Sequence, residues 1–344
     1  MLLTLLLTIR SLHIPTEKKT SYRKLLCESL APLDYLIMKP REELVVSVHG
    51  NQNSNKDNLV FIHGWPDDES VWDLLIERFQ DDYRCLTFTL PWYGSAKIAT
   101  ETAKIQKYSK WGYSFEAISD MIYAAIVKYS QAKVIVVAHD WGAVYAEYLQ
   151  ARHPEIVSKM ILMDVGGFKI DAPASYAQVP TMVLTGLAYQ YGMIFAFLFS
   201  GRIGRFLARR AAKWAREQAV KGSLPKFKPF ANSKNVDFVG ECGYPYYYHH
   251  RDFILQLIGF KRPQISSIPC PTLFIYGNRK PFQLHNTKWA ERIASRENCA
   301  VVSVYCGHWV QIEQADEVSS YIEKYLANQG NFSSGQNALL KSSL

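Results

Sequence analysis

The stretch "VIVVAHDWGAVYAEYLQARHP", Val134 to Pro154, places a carboxylate, Asp140, where an apolar run ends and a helical pattern begins. Around it, Ala138-His139-Asp140-Trp141-Gly142 has small residues at both flanks. A tight strand–turn–helix corner needs that spacing if its middle side chain is to project from the edge of a sheet. Taken alone, an aspartate before a helix is an N-cap. As a nucleophile it has a more selective chemistry. With a reference pKa near ~3.9 it is ionised at neutral pH and needs no base to fire. Toward an acyl carbon it forms only a labile anhydride. Toward a saturated carbon with a strained or good leaving group it forms an alkyl ester by in-line displacement. Such a residue therefore selects epoxides or alkyl halides over esters and amides. Two other segments carry candidate chemistry: "FIHGWPDDESVW" (Phe61 to Trp72), and "VYCGHWVQIEQADEV" (Val304 to Val318), which contains His308. A lone histidine is usually structural, so the weight of His308 rests on its place in the fold.

The elements that must position these residues alternate along the chain. "ELVVSVHG" (Glu43 to Gly50), "LVFIHG", "RCLTFTL", "KVIVVA", "SKMILMD", "TLFIYG" and "AVVSVY" read as strands. Between them, "DDESVWDLLIERF" has helical spacing with an acidic start, and "SFEAISDMIYAAIVKYS" sets Phe115, Ile118, Ile122 and Ile126 on one face. Strands alternating with helices imply a mainly parallel sheet covered on both faces. From Gly166 to about Ser266 the alternation stops, and helical, aromatic-rich sequence takes over. The expected organisation is an N-terminal extension (1–40), a core in two parts (41–166 and 267–329), a helical lid (167–266) and a disordered tail (330–344).

His63-Gly64-Trp65-Pro66, His139-Asp140-Trp141-Gly142 and Gly307-His308 together resemble the α/β-hydrolase superfamily, in its epoxide hydrolase and haloalkane dehalogenase branch. The resemblance runs from about Leu44 to Ala327. It implies an α/β-hydrolase fold with an inserted helical lid. Asp140 would be the nucleophile, and His308 the base that activates water against the Asp140 ester. The backbone N–H groups of Trp65 and Trp141 would form the oxyanion hole. Epoxide hydrolases of this kind protonate the leaving alkoxide with two lid tyrosines. Among Tyr176, Tyr189, Tyr191, Tyr244, Tyr246, Tyr247 and Tyr248, rough position favours Tyr189 and Tyr248. The commoner pattern puts an acid shortly after the glycine of "TLFIYG", but here Gly277-Asn278-Arg279-Lys280-Pro281 follows. Some haloalkane dehalogenases take their acid from the strand after the elbow helix, which here ends in Asp164. A carboxylate at the end of a buried strand needs a partner, and His308 would satisfy it. The function expected is hydrolysis of a lipophilic epoxide. The alternatives are haloalkane dehalogenation with the same nucleophile, or a non-catalytic receptor or scaffold on the same fold.

Composition bounds the rest. With 344 residues, 48% of them hydrophobic, the chain can bury a large core. Its net charge of +8 is concentrated partly in "GRIGRFLARRAAKWAREQAVKGSLPKFK", Gly201 to Lys228. That stretch reads as a solvated helix face, or as a surface that meets anionic lipid. Nucleic acid is not an expected partner, because no recognised module accompanies the charge. The six cysteines show no paired spacing, so reduced, buried thiols are expected. No metal-ligand cluster or cofactor motif stands out. "MLLTLLLTIR" is short for a membrane span, and the uncharged run Ala172 to Ser200 is broken by Pro180, Gly186 and Gly192. The expected location is cytoplasmic, with peripheral membrane contact through the basic, apolar lid.

Overall fold

The computed structural model describes residues 42–50, 57–167, 180–222, 237–257, 269–280 and 283–327. The expected N-terminal extension and tail lie outside the described residues, as do residues 168–179, 223–236 and 258–268 of the expected lid.

Seven strands form one sheet: β1 (Val46–Gly50), β2 (Asn58–Ile62), β3 (Arg84–Phe88), β4 (Val134–His139), β5 (Val157–Met163), β6 (Thr272–Gly277) and β7 (Ala300–Val304). Their order is β1-β3-β2-β4-β5-β6-β7. Only β1 runs antiparallel, against β3; every other pairing is parallel. The central strand β4 is buried throughout. Val134, Val136 and Ala138 enter the core on one face of the sheet, and Ile135 and Val137 the core on the other. Burial on both faces explains why this strand reads as a continuous apolar run and not an alternating one.

Helices α1 (Asp73–Phe79), α2 (Ala96–Gln106), α3 (Phe115–Tyr129) and α4 (Trp141–Arg152) connect the first five strands. The segment read as one helix over Asp67 to Phe79 is divided. A 3₁₀ turn, Glu69–Trp72, precedes α1, and the Asp68 side chain caps that turn by accepting from the Ser70 N–H. In chain order, α5 (Pro180–Phe199), α6 (Gly201–Gly222) and α7 (Tyr244–Leu257) are inserted between β5 and β6. Helices α8 (Thr287–Ala294), α9 (Val310–Glu313) and α10 (Ala315–Ala327) are the last among the described residues. No helix among the described residues is long and apolar enough to cross a membrane.

The corner between β4 and α4 demands glycine at Gly142. A β-carbon there would stand 2.1 Å from the Ile62 carbonyl oxygen on β2. Gly142→Ala should therefore cost about 1–3 kcal/mol through overpacking. In the same denaturant titration, Gly186→Ala, whose added methyl meets nothing within 4 Å, should be neutral or stabilising by up to about 1 kcal/mol.

Candidate active site

The carboxyl edge of the sheet gathers the site. Asp140 occupies the N-cap position of α4, yet its side chain makes no capping hydrogen bond. Its backbone has φ 55° and ψ −127°, in the left-handed half of conformational space that costs a non-glycine residue of order ~1–3 kcal/mol. The strain turns the carboxylate out of the corner and into the loop after β2. There the Trp65 N–H donates to Asp140 Oδ1 at 2.8 Å, and the Trp141 N–H also bonds the carboxylate. Gly64 permits this approach, because a β-carbon on it would lie 2.4 Å from Oδ1. His63, fully buried, holds the same loop. Its Nε2 accepts from the Leu90 N–H at 2.9 Å, and its Nδ1 donates to the Gly64 carbonyl at 2.9 Å.

His308 stands across from Asp140, its Nε2 3.6 Å from Asp140 Oδ2. Its Nδ1 lies 2.5 Å from Oδ2 of Asp164, at the end of β5. His139, pushed down to about 3 first by burial and then by His308, is neutral. Its Nε2 donates to the His308 carbonyl at 3.0 Å and fixes that loop. The structure thus brings Asp140, His308, Asp164 and the Trp65 and Trp141 N–H groups to one point. It also adds Lys280, which sequence reasoning passed over as part of a loop lacking an acid. The Lys280 ammonium meets Asp164 Oδ1 and donates to the Gly277 carbonyl at 2.7 Å. The Gly277 N–H donates to the same Oδ1 at 3.0 Å. The missed signal was charge: an acid moved to the end of β5 and buried there calls for a cation nearby.

The tyrosines part company. Tyr189, on α5, forms a 2.6 Å hydrogen bond between hydroxyls with Tyr246, on α7, not with Tyr248. Tyr248 sends its hydroxyl to the Trp111 carbonyl at 3.1 Å, away from Asp140. Two helical positions are about 200° of turn, so neighbours two apart face opposite ways. Tyr246 packs edge-on against Trp141, with ring centroids 5.1 Å apart, and Tyr189 against Trp65 at 5.5 Å. Both hydroxyls feel the charge of Asp140, and burial holds both well above the ordinary tyrosine range. Both indoles are engaged: Trp141 bonds the Tyr246 hydroxyl, and Trp65 Nε1 donates to Cys242 Sγ at 3.4 Å.

Residues 59–320 match the Alpha/beta hydrolase family. The chain belongs to that family. Within it, the α/β-hydrolase chain is similar to Epoxide hydrolase 1 of Caenorhabditis elegans, 28% identical over 138 residues, which are 39% of this chain and 32% of that protein. This match therefore spans about a third of the relative's length. Similarity to Epoxide hydrolase 2 of the same organism is broader, 22% over 283 residues, covering 78% of this chain and 74% of that one. Among solved structures, a variant of an epoxide hydrolase from Bacillus megaterium, complexed with its diol product, shares the fold. It superposes with a TM-score of 0.59 at 17% identity, covering 83% of this chain and 99% of that one.

The electrostatics of the α/β-hydrolase site are dominated by two anions around one imidazole. Burial would push Asp140 up, but His308 beside it and the Trp141 N–H hold it below the usual carboxylate value. Burial would likewise push Asp164 up, but Lys280 and His308 hold it far below. Burial would push His308 down; hydrogen bonds and charge from Asp140 and Asp164 override it and push His308 up to about 9. Because this value is raised, the stability it contributes is full below the unfolded value near ~6.5 and is lost as pH rises through about 9. Unfolding free energy should fall by up to about 3 kcal/mol between pH 6.5 and 9.5 in the wild type. That part of the slope should vanish in His308→Gln. In Lys280→Met it should extend to higher pH, because a cation opposing the imidazolium is gone.

Proposed function

We propose that the protein hydrolyses a lipophilic epoxide through an alkyl-ester intermediate on Asp140. The carboxylate attacks an epoxide carbon, the C–O bond breaks, and the alkoxide takes a proton from the Tyr189–Tyr246 pair. With Asp140 esterified, one of the two anions supporting the imidazolium is neutral, so the imidazolium gives its proton to the tyrosinate and His308 is left as a neutral base. His308 then removes a proton from water, whose oxygen attacks the Asp140 ester carbonyl. The N–H groups of Trp65 and Trp141 hold the oxyanion. On collapse the ester C–O bond breaks, the departing alkoxide takes the hydroxyl proton of the tetrahedral intermediate, and the diol leaves with the Asp140 carboxylate and the His308 imidazolium restored. Asp164 keeps the imidazole in the tautomer that presents Nε2 to the water, and Lys280 keeps Asp164 ionised.

The observation that carries this reading is the hydroxyl pair packed over the two tryptophans beside Asp140. A neutral hydroxyl pair suits a leaving group that departs as alkoxide. A halide would instead need free N–H donors, and the two indole N–H groups beside Asp140 are committed to Cys242 and Tyr246. The curated relatives named epoxide hydrolases agree in class. The aromatic lining, which includes Trp214 stacked on Tyr189 at 5.3 Å, favours an apolar substrate body.

The test is single-turnover trapping. His308→Gln incubated with a lipophilic epoxide should accumulate an ester adduct on the peptide that holds Asp140, seen by mass spectrometry. Asp140→Ala should neither form the adduct nor turn over, while keeping its fold. Absence of adduct with every epoxide tried, or undiminished turnover in Asp140→Ala, rules the mechanism out. Within the tyrosines, Tyr246→Phe should slow epoxide opening about 10- to 100-fold. Tyr248→Phe should change it far less, and the reverse order would reassign the donor.

A further inference from the structure

Helix α5 turns one face to the site and the other to solvent. On the solvent face Leu187, Tyr191, Phe195, Leu198 and Phe199 recur at helical spacing, between 40% and 61% exposed. Helix α6, joined to α5 at Ser200, adds Ile203 and Phe206 at 60% and 61%. These seven are half of the large apolar side chains exposed among the described residues. The exposed arc of α6 also carries Arg202, Arg210 and Lys213. At about 100° per residue they share one side with Ile203 and Phe206, opposite the buried Ala208 and Ala212. The first carboxylate after Leu187 is Glu217, exposed on the same arc and 4.0 Å from Lys213, which leaves Arg202 and Arg210 as the cations without an acid in that stretch. Arg205 and Arg209 are not part of this arc: both are paired with Asp237, through their Nε atoms at 2.7 and 2.6 Å.

We propose that this hairpin face docks peripherally on an anionic lipid surface. An apolar stripe flanked by basic side chains is the pattern of a helix lying at the headgroup boundary, where apolar burial and attraction to anionic lipid add. No described helix is fit to span the bilayer, so the contact is superficial. A second copy is a poor occupant. A two-fold contact through this face would bring Arg202 and Arg210 toward their own equivalents, and the nearest acid along α6, Glu217, is already taken up by Lys213 at 4.0 Å. The placement also has a use. Tyr189, on the inner side of α5, lies two residues from Tyr191 on the outer side, so lipid and candidate site would be separated by about one helix diameter, ~10 Å.

Flotation of the full-length protein with vesicles of phosphatidylcholine, with and without phosphatidylserine, tests the face without using activity. The protein should float with the phosphatidylserine vesicles and less so as salt rises. Phe199→Ser combined with Phe206→Ser should abolish flotation. Arg202→Gln combined with Arg210→Gln should weaken it roughly 30-fold, the effect of two basic side chains at an anionic surface. All four positions are exposed, so the variants should melt like the wild type. Three results overturn the proposal: no flotation of the wild type; flotation unchanged by both double variants, which would assign it to another segment such as the apolar "MLLTLLLTIR"; or a wild-type oligomer that Phe199→Ser with Phe206→Ser dissolves, which would assign the face to a second copy.

Discussion

A single buried charge organises the carboxyl edge of this protein. Asp164 has no solvent exposure, and removing a carboxylate from water costs several kcal/mol unless partners replace the water. Three partners do so, each from a different piece of chain. The Gly277 N–H comes from the end of β6, Lys280 from the loop after it, and His308 from the loop after β7. Asp164 reaches them from a residue with φ 67°, so the local strain at the end of β5 is offset by what the carboxylate gathers. The histidine is held where Asp140 can meet it because the same charge fixes the ends of three adjacent strands.

A second constraint is steric. Asp140 turns away from its own helix and into the loop after β2, and glycine at positions 64 and 142 gives it the room. The backbone N–H groups that bind the carboxylate belong to residues whose indoles also form the floor beneath the tyrosines. One short loop and one corner therefore serve both the carboxylate and the hydroxyl pair.

Much of this was legible from the residues. Apolar runs marked six strands because each is buried on at least one face, alternation marked the half-buried β1, and the succession of strands and helices gave the mainly parallel sheet. Asp140, His308 and the Trp65 and Trp141 N–H groups could be located because the corner and loop motifs bind them to fixed positions along the chain. Asp164 was reachable because a buried acid needs a partner. What failed was information that depends on packing between distant elements. The choice of Tyr248 over Tyr246 turned on helix phase within "YPYYYHH", where four tyrosines in a five-residue stretch leave no periodic signal. Lys280 escaped because its role depends on a carboxylate more than a hundred positions earlier. The start of α1 was misjudged because Asp68 caps a 3₁₀ turn first.

The hydroxyl pair spans two helices of the insertion, whereas Asp140, His308, Asp164 and the Trp65 and Trp141 N–H groups all sit at the carboxyl edge of the sheet. The molecule is in that sense modular. Changes in α5 or α7 can reshape the aromatic surface over the site, while the carboxylate–imidazole cluster beneath it is left untouched. A lineage carrying such a division can drift in substrate range at little risk to its foldability, and the low identity of this chain to its relatives is compatible with that kind of drift.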